Sequence, residues 1–360
     1  MKNRNGELDI LRFLFSINIV LSHMAVDMNS IVRKTYCPFG VEFFFLCSGF
    51  FLARHAMIMT DIKTNDELGR ETWKYTIKKA SRIWKYYIIV ILIYAILRFI
   101  GDNSIGRMIK DFLDSVPMYF FINQPLHLIP SLYLRGSWYI SAMLVVSFIY
   151  YYMILRFKKP FIEVVLPFCS LFIVGYLIQK NNNGSIFTFV HDNGLLINLG
   201  LLRAFAVMGI GAFIFTVSLY VNENVIIFSK GKVLLLCVKY IAYIIALLLC
   251  FNYINATSYY TQIFMIFCIG FLILSLDSVP KIRGGVVTDY LGKISLLYYL
   301  THGVTIYLIS KYAQINSESI LIMSVIIGNF VLSNIIMFFC DFIFGFTKKH
   351  TDKVATIRFK

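Results

Sequence analysis

The chain has 360 residues, of which 59% are hydrophobic, 17% aromatic and only 15% charged. Soluble globular domains run closer to half apolar and a quarter charged, so a soluble enzyme is excluded and a polytopic membrane protein is indicated. The net charge of +15 then reads as basic cytoplasmic loops, not as a nucleic-acid surface.

A membrane helix takes about 20 mostly apolar residues. About ten such runs follow one another, near 8–28, 37–59, 82–100, 137–155, 161–179, 195–220, 232–252, 258–276, 290–310 and 319–346. The first has polar breaks and no small-residue cleavage site, so it reads as a retained helix and not as a signal peptide. The stretch 101–136 is different. Its "MIKDFLDSVPMYFFINQPLHLIP" is charged and broken by Pro117, Pro125 and Pro130, which suits an interfacial or re-entrant segment on one membrane face. The expected fold is all-α: one transmembrane domain of about ten helices over 1–346, then a basic cytoplasmic tail over 347–360 that ends "KKHTDKVATIRFK". Seven cysteines lie at 37, 47, 169, 237, 250, 268 and 340, with no C-x-x-C pair. That pattern argues against a disulfide framework and against a zinc site, so no metal is expected.

Loop charges set the orientation. With the N-terminus inside, the inner loops and tail collect 19 Lys and Arg residues, among them Lys2, Arg4, Lys63, Arg70, Lys74, Lys281 and Arg358. The outer side collects Arg33, Lys34, Arg107, Lys110, Arg135, Lys180 and Lys311. The bias places both termini in the cytoplasm, and an even number of spans agrees.

An ionisable residue inside a span costs about 2.5–3.5 kcal/mol on insertion scales, so each one marks a candidate site. Arg12 and His23 both lie in the first run, eleven residues apart. That is ~16 Å along a helix and close to three turns, so they share a face, with Arg12 nearer the cytoplasm. Glu42 lies just inside the outer end of the second run, near the depth of His23. A carboxylate beside an imidazole fixes its tautomer and raises its basicity. Ser48 and Gly49 sit in mid-span, where a glycine permits close approach of another backbone or a ligand. The third run opens with Lys78, Lys79, Arg82 and Lys85 at the inner surface. The sixth brings Arg203 into the membrane, and the ninth brings His302 to about mid-bilayer. Plainer readings stand beside these. His302 fits a structural hydrogen bonder between helices, and the lysines fit snorkelling anchors. His55, His127, His191 and His350 fall at span ends or in loops and take no role. Cations on the cytoplasmic side suit a phosphate-bearing donor, and a histidine with an acid partner deeper in the bilayer suits a general base.

Six segments also resemble the motifs of the membrane-bound acyltransferase 3 family. "LDILRFLFSINIVLSH" is similar to the family's opening Leu-Asp-x-Leu-Arg, ten residues, then His. "GVEFFFLCSGFFL" resembles Gly-Val-Asp-x-Phe-Phe-x-x-Ser-Gly-Phe, with Glu42 in place of Asp. "KKASRIWKYY" resembles Arg-x-x-Arg-Ile-x-Pro, with Lys79 for the first Arg and Lys85 for the proline. "GSWYISAML", "LLRAFAVMGIGAFIF" and "LGKISLLYYLTH" are similar to three later helix motifs, in the family's order.

The resemblance implies acyl transfer, most often of acetyl, from cytoplasmic acetyl-CoA or another acyl-CoA to a hydroxyl of a cell-surface or exported glycan. By the same resemblance, Arg12, Lys79 and Arg82 hold the donor's phosphates or guide it in. His23, oriented by Glu42, accepts the acyl group or deprotonates the acceptor hydroxyl. Ser48, Trp138, Tyr139, Arg203 and His302 support the site or line the acceptor side. The partners implied are acyl-CoA, a glycan or lipid-linked sugar, and the bilayer; the location implied is a bacterial inner membrane. Lys79 keeps a charge but lacks the bidentate fork of arginine. Two alternatives remain. One is a transporter or flippase of a lipid-linked or amphipathic substrate, which predicts paired broken helices that the sequence does not display. The other is a same-family enzyme that uses succinyl or a non-glycan acceptor.

Overall fold

The computed structural model describes residues 5–28, 39–59, 64–102, 104–125, 136–180, 197–224, 229–251, 258–278 and 282–357. Cys37, the edges of some expected spans, and the loop cations Lys2, Arg4, Arg33, Lys34, Lys63, Arg135, Lys281, Arg358 and Lys360 lie outside them, as do His127 and His191.

Twelve helices make up the described residues, with no strand among them beyond a single bridging pair, Asn5 with Arg283. They are α1 (Gly6–Asp27), α2 (Phe39–Ile58), α3 (Asn65–Asp102), α4 (Ile105–Asp114), α5 (Val116–Tyr119), α6 (Ser137–Pro160), α7 (Leu166–Lys180), α8 (Leu199–Asn224), α9 (Ser229–Cys250), α10 (Tyr259–Ser278), α11 (Val286–Tyr312) and α12 (Glu318–Ile357). Each of the ten expected runs falls on one of them. Eight helical stretches are long and apolar enough to cross a membrane, with Ser137–Lys180 taken as one. Straight, those 44 residues would span ~66 Å, more than twice the ~30 Å hydrocarbon layer. The helix breaks inside that stretch. Lys158 sits at φ 51° and ψ −134°, Pro160 follows, and a π-helical turn covers Phe161–Val165. No loop separates the two expected spans there.

α11 is not among the eight, because its Tyr, Thr, Ser and His side chains lower its hydropathy. It is enclosed instead. Its middle, from Ile294 to Ile306, is largely buried, and it packs mainly on α1 and α12. A helix that does not face lipid need not be apolar on every side. Lipid-facing apolar surface is supplied by outer helices, such as Phe168, Leu171 and Phe172 of α7, Leu234 and Ile241 of α9, and Phe338 of α12, all exposed.

Two departures concern α3 and the connection after it. α3 starts at Asn65, well before the expected Arg82, and its 38 residues run ~57 Å. Its first turns are polar but hold no proline, and a reciprocal cap starts them: Thr64 N–H donates to Glu67 Oε2 at 3.1 Å and Glu67 N–H to Thr64 Oγ1 at 3.3 Å. Lys78, Lys79 and Arg82 therefore stand inside a helix, not at its mouth. α4 is short and strongly amphipathic. Its Ile105, Met108, Ile109 and Phe112 are exposed while Asp111 is buried and pairs with Arg98 at 3.6 Å. Exposed apolar residues on a short helix with an inward acid suit a position at the membrane interface. The residues read as a tail begin inside α12, which continues to Ile357.

The core is built on α1, α2, α6, α8 and α11. α2 and α8 cross most closely, because glycines meet there. A Cβ at Gly49 would strike the Met208 carbonyl oxygen, and one at Gly211 would strike the Leu46 carbonyl oxygen. Small residues let two backbones approach this far in a membrane bundle. Asn18 of α1 fastens the start of α2. Its Oδ1 accepts from Gly40 N–H at 2.9 Å, while its Nδ2 donates to the Cys250 carbonyl at 2.7 Å.

Candidate active site

α1 and α11 start side by side. Gly6 N–H donates to the Ile282 carbonyl at 3.1 Å, beside the Asn5–Arg283 bridge. The two helices then rise in parallel. His23 lies 17 residues beyond Gly6 and His302 lies 16 beyond Val286, so they reach nearly the same height, ~26 and ~24 Å above the starts of their helices. Their imidazole rings stack, with centroids 4.8 Å apart and planes 27° from parallel. His302 is fully buried, and its Nδ1 bonds the Tyr299 carbonyl one turn below. A carbonyl oxygen only accepts, so Nδ1 carries the proton in that bond and the neutral ring has its lone pair on Nε2.

A line of contacts descends from this pair toward Arg12. The Tyr299 ring lies 5.7 Å from that of His302 and 5.8 Å from that of Tyr139. The Tyr299 hydroxyl donates to the Gly136 carbonyl at 2.5 Å. Gly136 holds φ +87°, a conformation open to glycine, and a Cβ there would collide with that hydroxyl. The buried Tyr139 hydroxyl has Ser48, Cys47 and Arg12 as its polar neighbours. Arg12 itself pairs with Asp9 at 3.5 Å and remains 35% exposed. Ser48, Tyr139, His302 and His23, named from the sequence, are thus joined in space, with Arg12 at the lower end.

Glu42 is elsewhere, which corrects the expected partnership with His23. Its Oε1 accepts from Arg203 Nε at 2.6 Å, with the two side chains 0% and 2% exposed. The Arg203 guanidinium lies 5.4 Å from the centre of the Trp138 ring. Glu42, Arg203 and Trp138 all sit in the first turns of helices that begin at the same end of the bundle. The close α2–α8 crossing turns Glu42 toward α8, where the permanently charged guanidinium of Arg203 meets it through Nε.

The cytoplasmic cations are placed differently from one another. Lys79 Nζ donates to Ser147 Oγ of α6 at 3.0 Å, while Arg82 is exposed. Next to them, His55 Nδ1 is 2.8 Å from the Tyr151 hydroxyl, and Tyr75 stacks on Tyr151 with ring centres 4.1 Å apart. Sequence reasoning assigns no role to His55, nor to Tyr299, although Tyr299 lies within the quoted "LGKISLLYYLTH". It also missed a buried ion pair between α1 and α9. Lys239 Nζ lies 2.7 and 2.8 Å from the two Glu7 carboxylate oxygens, and Tyr243 donates to the same carboxylate. Its signals were the acidic residue at the head of the first run and Lys239, a charge inside the expected run 232–252.

The histidine pair inside an all-helical bundle, His302 buried and His23 half-buried, defines a membrane protein with an inner polar site open to acid–base chemistry. A family model described as an acyltransferase domain matches residues 5–346, nearly the whole chain. The chain belongs to the acyltransferase 3 family, and it is a membrane acyltransferase. The transport alternative gives way to that assignment. No curated protein and no solved structure gives a significant match.

Proposed function

We propose that the protein moves an acyl group, acetyl in the simplest case, from cytoplasmic acyl-CoA to a hydroxyl of a cell-surface or exported glycan. The observation that carries this reading is the His23–His302 stack at the upper end of the line through Tyr299, Tyr139 and Ser48 to Arg12. The line has a cation low on α1 and imidazole nitrogen high on it, ~16 Å apart. An extended pantetheine arm covers such a distance, so the acyl group reaches the outer half while the nucleotide stays inside.

In this reading Arg12 and Arg82 meet the donor's phosphates. Lys79, set against Ser147, supplies a point charge beside them. His23 takes the proton of the acceptor hydroxyl as its oxygen attacks the thioester carbonyl carbon. A C–O bond forms, the C–S bond breaks, and the proton held by His23 passes to the departing thiolate. Both substrates meet at one level, so a single displacement is sufficient. His302 holds and orients His23 through the ring stack. Glu42 neutralises Arg203, which braces Trp138 on the acceptor side. The family supports a bacterial inner membrane as the setting.

The test compares wild type, gene deletion, and deletion complemented with His23→Ala at matched expression. Ester-linked acyl groups on surface glycans are read by mass spectrometry and NMR. Loss on deletion, restored by wild type and not by His23→Ala, supports the reading and names both acyl group and acceptor. Glycan acylation unchanged by deletion removes glycans as acceptor.

A further inference from the structure

One group of buried polar atoms has no task in that mechanism. The chain between α5 and residue 125 turns sharply. Ile122 N–H donates to the Pro117 carbonyl at 2.9 Å, and Phe121 takes φ 59°, uncommon for a residue with a side chain. The turn presses Asn123 and Gln124 against α6. Gln124 N–H donates to Ser141 Oγ at 3.2 Å, and Ser141 Oγ donates to the Phe121 carbonyl at 2.6 Å. Asn123 is 0% exposed and Gln124 3%. Yet both Oδ1 and Nδ2 of Asn123, and Oε1 of Gln124, lack a hydrogen-bond partner among the described residues. So does Oγ of the buried Ser137, one turn before Ser141 on α6. A buried amide left unpaired is costly, and natural interiors contain few. Four such atoms around the first turn of α6 need a reason.

Their place supplies one. Ser137 follows Gly136, whose carbonyl takes the Tyr299 hydroxyl, and the Tyr299 ring packs on His302. The cluster therefore adjoins the Tyr299 end of the site. Its chemistry is neutral and two-sided, with carboxamide oxygens and a carboxamide N–H₂ beside a hydroxyl. That set matches vicinal sugar hydroxyls, each of which donates and accepts. A phosphate would call for arginine or lysine, and among the described residues none belongs to the cluster. We infer that Asn123, Gln124 and Ser137 form the subsite that takes the acceptor's hydroxyls next to the one acylated. This rests on the glycan-acceptor reading above and deepens it.

The experiment uses full-length protein in lipid nanodiscs, with acetyl-CoA as donor and methyl glucoside, galactoside and mannoside as acceptor probes. Glycoside-dependent release of coenzyme A is followed with a thiol reagent. Asn123→Leu and Gln124→Met replace each orphaned amide by an apolar side chain of similar size. Each raises the KM for the glycoside about tenfold, the loss of one or two hydrogen bonds. kcat and the KM for acetyl-CoA hold within about twofold, and Tm does not fall, because an unpaired buried amide has been removed. A glycoside KM within about twofold of wild type in both variants overturns the subsite alone and leaves the amides as sites for water. Parallel losses in kcat, both KM values and Tm also overturn it, as a structural role. No glycoside-dependent release from wild type overturns the subsite and the glycan acceptor together.

Discussion

Glu42 and Arg203 carry opposite charges where neither meets water, at 0% and 2% exposure. Removing one partner of such a pair leaves an uncompensated buried charge and costs about 3–5 kcal/mol, whereas replacing both by apolar groups is often close to neutral. Arg203→Met should therefore lower the Tm of the detergent-solubilised protein sharply, and Arg203→Met combined with Glu42→Leu should recover most of it. A double variant no more stable than the single one would place the role of Arg203 at Trp138 instead. Both residues were legible in the sequence as charges inside a span. Their pairing was not, since 161 positions separate them. Depth alone suggested His23 as the partner of Glu42, and depth says nothing of which way a helix is turned. The histidine pair is a second residue-scale case. If His23 and His302 act as one unit, their losses do not add. His23→Ala and His302→Ala should each reduce acyl transfer about 100-fold or more, and the double variant should be no worse than the weaker single variant. Additive losses in CoA release would give His302 an independent role.

Between elements, the closest fit is α2 on α8, and glycine makes it. Gly49→Val places branched carbon where the Met208 carbonyl stands, so the helices must separate. The Glu42–Arg203 pair stretches with them, and we expect a large fall in Tm together with loss of transfer. Gly69 is the control. It lies early in α3 with nothing within 4 Å of a built Cβ, so Gly69→Ala should leave transfer intact and stabilise the helix by up to about 1 kcal/mol. Equal damage from both substitutions, read by thermal unfolding, would remove the crossing as the cause. The ten helices were legible because apolar runs of about 20 residues have few other uses. Two features of the same chain were not. The polar first half of α3 carries helix propensity without apolar periodicity, so hydropathy passed over it. The break at Lys158 depends on backbone angles, and Pro160 was its only mark in the sequence.

At the scale of the whole molecule, the question is which face meets coenzyme A. The charge bias assigns the cytoplasm to the ends where α1 and α11 begin together. Those are the ends from which Arg12 is nearest and the histidines lie ~25 Å away. Coenzyme A thioesters are made in the cytoplasm, so the donor reading holds in this orientation and fails in the opposite one. Single cysteines in a background with the seven native cysteines replaced by serine or alanine can decide it. Lys74 is exposed in the polar half of α3, its side chain 72% accessible. Gln314 is exposed in the connection between α11 and α12, at the far end. In intact cells a membrane-impermeant maleimide should label Gln314→Cys and spare Lys74→Cys. Permeabilised cells should label both. The reverse pattern would put Arg12, Lys79 and Arg82 on the outer side, where no acyl-CoA is found. Their positive charge would then have to serve an anionic acceptor, and the direction of acyl transfer would have to be reassigned.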